Sequence, residues 1–139
     1  MRVFFDTNVY VAEALLGGAA EQMVAATMEA RWRILSSGYV LDEMQRVLVE
    51  KLGFSRRFGR LTRERARRRA KLVIALSIRH SVPHDPADSP VLGAALAAGA
   101  DFLVTNDSHL LALNPYQGLR IISMTEYFDL LRDEGFIAS

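Results

Sequence analysis

Strand-length apolar runs alternate with helical stretches along most of this chain, and that alternation is what most narrows its fold. "RVFF" (Arg2 to Phe5) reads as a buried strand. A helical pattern follows from Asn8 to about Arg31, broken near Gly17 and Gly18 into two helices. Arg33 to Ser36 is a second short strand. Tyr39 to Leu52 carries Val40, Leu41, Met44, Val47 and Leu48 at helix spacing. Thr62 is predicted to cap a helix running to about Ile78. "SVPHDPADSP" holds three of the four prolines, reads as a connection, and leaves room for a short strand around His80 to Val82. Val91 to Ala98 is an Ala-rich helix ended by Gly99, and Phe102 to Val104 a strand. Ser108 to Leu113 gives one or two helical turns, Leu119 to Ile122 the last strand and Thr125 to Arg132 the last helix. Such alternation predicts an α/β fold, with a mainly parallel sheet of four to five strands covered by helices on both faces. At 139 residues the chain is expected to form one domain, residues 1–139.

Acids fall where those strands end. In an open parallel sheet, sites form outside the carboxyl ends of the strands. Asp6 follows the first strand, and Asp107 follows "DFLVT". Asp85 and Asp88 lie in the Pro-rich connection, and Glu43 lies in the helix after the second strand. Asp6, Asp88 and Asp107 each precede a helix, so each serves equally well as an N-cap, and Glu43 as a solvated surface acid. "FFDTN" and "LVTND" nonetheless repeat one design, an apolar strand closed by Asp, Thr and Asn. Carboxylates gathered in one place repel each other unless a cation sits among them.

The chain has no cysteine, which excludes disulfides and thiolate metal sites. His80, His84 and His109 show no ligand spacing and are read as surface or packing residues. An all-oxygen cluster suits a hard cation, Mg²⁺ or Mn²⁺, which activates water and neutralises charge on a phosphoryl group.

"FFDTNVY", "SGYVLDEMQRVL", "DPADSPVLGAALAAGADFLVTNDSHLL" and "IISMTEYFDLL", in that order, resemble the PIN-domain family. More narrowly, the chain looks like the bacterial PIN proteins that act as toxins of toxin–antitoxin pairs, the VapC type among them. The resemblance implies a three-layer α/β/α fold and a Mg²⁺- or Mn²⁺-dependent endoribonuclease. It implies catalytic, metal-holding acids at Asp6, Glu43, Asp88 and Asp107, with Asn8 and Thr105 as supporting residues and Asp85 as a weaker addition. Asp42 is expected to point away from Glu43's side, since successive helical residues diverge. His109 and Leu110 stand where many relatives carry a further polar residue.

Nine of the 17 basic residues lie between Arg56 and Lys71, in "RRFGRLTRERARRRAK". Arg60, Arg63 and Arg67 share one helix face and are the candidates for gripping an RNA backbone, a contact that weakens with salt. A solvated face or an acidic antitoxin segment are the competing readings. A cognate antitoxin and a homodimer are the expected protein partners; Val9, Val11, Leu15 and Leu16 offer apolar surface for the latter or fill the core. No apolar run approaches the ~18 residues of a membrane span, and the N-terminus lacks a signal-peptide pattern, so a cytoplasmic protein is expected. A haloacid-dehalogenase-type phosphatase needs a second Asp two residues after the first, where this chain has Asn8. An RNA-processing nuclease without antitoxin, and a PIN domain that binds without cutting, remain as alternatives.

Overall fold

The computed structural model describes residues 1–73 and 89–138. Asp85, Asp88, His80, His84, the strand expected around His80 to Val82 and the helix end expected at Ile78 lie outside them. Among the described residues there are five strands: β1 (Arg2–Phe5), β2 (Arg33–Ser37), β3 (Lys71–Val73), β4 (Phe102–Val104) and β5 (Arg120–Ile122). They form one sheet in the order β3-β2-β1-β4-β5, and every pairing is parallel. Val3, Phe4 and Phe5 of the central strand are all 0% exposed, as a strand covered on both faces must be.

Among the described residues, seven α-helices supply that cover: α1 (Thr7–Leu16), α2 (Gly18–Glu29), α3 (Gly38–Arg46), α4 (Arg56–Arg69), α5 (Pro90–Ala97), α6 (Ser108–Leu111) and α7 (Met124–Asp133). Gly17 and Gly18 take positive φ angles of 58° and 49°, which turns α1 into α2 within one residue. Tyr127 of α7 meets Phe5 edge-on at 5.7 Å, and its hydroxyl lies 2.6 Å from that of Thr27 on α2. On the other side of the strand order, α3 packs against α4 and α5. The result is the three-layer α/β/α arrangement.

The basic segment departs from expectation. Its helix starts at Arg56, not near Thr62, because Ser55 caps it by accepting the Phe58 N–H at 3.0 Å. Gly59 lies inside this helix. A Cβ there would meet Val49 Cγ2 at 2.6 Å, so the glycine lets α4 lie against the π-helical turn Val47–Lys51 that extends α3. The helix ends at Arg69, and Leu72 and Val73, which fall within the expected helix, belong to β3. A short apolar run fits either element, and pairing with β2 decides it. Val9 is core, while Leu16 is 80% exposed.

Candidate active site

The strand order reverses at β1: the chain runs outward through β2 to β3, then returns to the opposite side of β1 as β4. Crevices in parallel sheets open at such a switch point, outside the carboxyl ends. Phe5 is in register with Val104, and the ladder continues one step further, with the Asp6 N–H donating to the Val104 carbonyl at 3.0 Å. Asp6 and Thr105 therefore leave the sheet side by side, although 99 residues separate them.

Asp6 is 7% exposed. Its Oδ1 accepts the Thr7 N–H at 2.7 Å, capping α1. Its Oδ2 accepts the Thr105 hydroxyl at 2.7 Å and a longer contact from Asn8 Nδ2 at 3.4 Å. Burial pushes its pKa up. The bonds from Thr105 and Thr7 pull it back in part, and the charges of Asp107 and Glu43 push it up again. The Thr105 oxygen also accepts the Asp107 N–H at 3.0 Å, so one fully buried hydroxyl fixes both strand-end acids. Asp107 caps α6 through Oδ1, which accepts the N–H groups of His109 and Leu110 at 2.8 and 3.3 Å. Asn8 Oδ1 accepts the Asn106 N–H at 3.4 Å and closes the loop-to-loop contact. Capping and clustering thus coexist, one oxygen of each acid serving its own helix.

Both acids line an open cleft of about 500 Å³, with Thr7, Tyr39, Ser89 and His109 among its other walls. Ser89, not Asp88, is the N-cap of α5, accepting the Leu92 N–H at 3.3 Å. Glu43 is held aside. Its Oε1 lies 2.5 Å from Arg46 Nη2, a bond that keeps its pKa below the usual carboxylate range. Asp42 faces elsewhere, as expected, and pairs with Arg63 of α4. Arg46 escaped the sequence reading, although its place three residues after Glu43 is an ordinary helix-pair signal.

Among the described residues, no three Asp, Glu, His or Cys side chains stand close enough to hold an ion by themselves. The oxygen-only donors, and two further negative charges acting on a buried Asp6, nevertheless fit a hard divalent cation. Of the basic residues on α4, Arg67 is bound bidentately to Glu64 at 2.7 and 3.1 Å, and Arg63 to Asp42. Arg69 is bound to Glu13 at 2.7 Å through each terminal nitrogen. Arg56, Arg57, Arg60, Arg65 and Arg68 are exposed and make no ion pair among the described residues.

Among the described residues, no helix is long and apolar enough to cross a membrane. No curated protein and no solved structure matches the chain. A family model described as PIN domain matches residues 2–109, a span that runs from the start of β1 through both strand-end acids. The chain therefore belongs to the PIN-domain family, whose members are generally nucleases that use divalent metal ions.

Proposed function

We propose that this protein is a Mg²⁺- or Mn²⁺-dependent endoribonuclease acting as the toxin of a toxin–antitoxin pair. The observation that carries the nuclease reading is the joining of Asp6 and Asp107 through Thr105 at the switch point of a PIN-domain sheet. Asp6, Asp107, Glu43 and Asp88 are assigned as the residues that hold the ion, with Asn8 and Thr105 fixing the first two and Asp85 in support. The bound ion supplies a water activated for in-line attack and neutralises charge on the phosphodiester. The chain orients the acids, and one carboxylate takes the proton of the attacking water. The toxin role and its antitoxin rest on the resemblance. An apolar groove of about 470 Å³ beside the site, lined by Leu16, Met23, Met124 and Phe128, is the surface a protein partner or a second copy has available.

Purified protein should cut total RNA with Mg²⁺ or Mn²⁺ and lose that activity in excess chelator. Cleavage undiminished by chelation overturns the metal assignment. RNA retained but never cut points to the binding-only alternative, and cleavage by a protein without an antitoxin partner points to RNA processing.

For the RNA grip, the exposure of Arg60 supports its place among the contacts. Arg63 and Arg67 enter it with acid partners already in place, so the α4 cations without an acid partner among the described residues carry more of the contact. Arg60→Gln and Arg68→Gln are each expected to lower the slope of log affinity against log salt by about 0.7, the loss of one single-strand phosphate contact. Fluorescence anisotropy with labelled RNA reads this; slopes equal to the wild type's place the RNA elsewhere.

A further inference from the structure

We propose that Arg46 is the resident counter-cation of the acid cluster: in the ion-free protein it occupies Glu43, and it thereby sets how tightly the cluster takes a divalent cation. This rests on the nuclease reading above and adds a positioning residue to it. The site's acids are compensated in two different ways. Asp6 and Asp107 are met by neutral donors, a hydroxyl, a side-chain amide and backbone N–H groups. Glu43 is met by a full positive charge, with Arg46 Nη2 at 2.5 Å from Oε1. Glu43's charge acts on Asp6, so the guanidinium beside it stands within the field of the cleft. Tyr39, two turns before Arg46 on α3, lines that cleft.

An oxygen engaged by a guanidinium is not free to ligate a metal, so until the pair opens Glu43 offers the cluster only Oε2, with its charge compensated. Opening is easy. Arg46 and Glu43 are 45% and 26% exposed, and half-exposed pairs three residues apart on a helix hold weakly. A second anchor waits one turn along, since Glu50 Oε2 is already 3.9 Å from Arg46 Nη1. Competition for the carboxylate and direct repulsion of a doubly charged ion act in the same direction. Both weaken ion uptake while Arg46 is present.

Mn²⁺ binding measured by calorimetry on the full chain tests this without reference to cleavage. Arg46→Gln should bind Mn²⁺ about fivefold more tightly than wild type, a screened Coulomb effect of one charge. Arg132→Gln, which opens an equivalent pair with Asp129 on α7, should leave it unchanged and controls for loss of a surface charge. In a Glu43→Gln background, adding Arg46→Gln should tighten binding by clearly less than it does with Glu43 present, because only the direct repulsion is then left to remove. Wild type that takes up Mn²⁺ with an affinity Arg46→Gln does not improve overturns the proposal alone. A folded wild type that takes up no Mn²⁺ overturns the nuclease reading and the proposal with it.

Discussion

Asp6→Asn is expected to lower RNA cleavage by about a thousandfold, since the metal site contributes several kcal/mol to the transition state and each ~1.4 kcal/mol is tenfold. Its fold should remain. Asn caps helices as well as Asp does, so the bond from the Thr7 N–H to Oδ1 survives. Thermal stability near neutral pH should even rise. The folded protein holds Asp6's pKa above its ordinary value of 3.8, chiefly by burial. Between that value and the raised one, the folded state binds more proton than the unfolded state, so stability falls as pH increases through the window. Above it, the ionised carboxylate is a standing cost that Asn removes. The stability difference between variant and wild type should therefore shrink as pH is lowered toward 3.8. Calorimetric melts from acid to neutral pH check the sign, and a wild type that gains stability against Asp6→Asn as pH rises contradicts it. Full cleavage by the variant contradicts the site.

The largest stability effect is expected from Arg69, at the far end of the basic helix. Arg69 and Glu13 face each other through two 2.7 Å bonds, and their side chains are only 14% and 7% exposed. They tie α4 to α1, the helix that Asp6 caps. Tyr10 lies beside them, its phenol pushed up to about 12, first by burial. Arg69→Met strands the Glu13 carboxylate in that setting and should cost about 3–5 kcal/mol. In a chain of this length that lowers the melting temperature by about 10 °C or more. Glu13→Gln with Arg69→Met should recover most of the loss, because no buried charge is then left alone. A single variant that melts within a degree or two of wild type shows the pair to be solvated.

How much of this the sequence carries depends on the range of the forces involved. β1 and β4 were legible because a strand buried on both faces shows as an unbroken apolar run, and VFF and FLV are such runs. The sheet's parallel pairing followed from the helices between them. Asp6 and Asp107 were legible because strand ends attract sites. The capping alternative proved compatible with clustering, since a carboxylate has two oxygens. What the sequence hid was settled between distant elements. The run after Arg69 had to be a strand to pair with β2, and Gly59 had to lack a Cβ to admit Val49. Neither neighbour is adjacent in the chain. Arg69 looked like one more surface cation until Glu13, 56 residues earlier, was placed opposite it. Glu43 was read as a candidate acid of the site, and its engagement by Arg46 shows only once the rotamers are fixed.

The central position of β1 also orders events during synthesis. Asp6 leaves the ribosome 99 residues ahead of the neighbour that fixes its outer oxygen. Until β4 has slotted in beside β1, the growing polypeptide holds a lone aspartate with nothing from that strand to face it. A translation product cut short anywhere before Thr105 lacks half of the crevice, so the destructive chemistry proposed here is withheld from incomplete copies by topology alone.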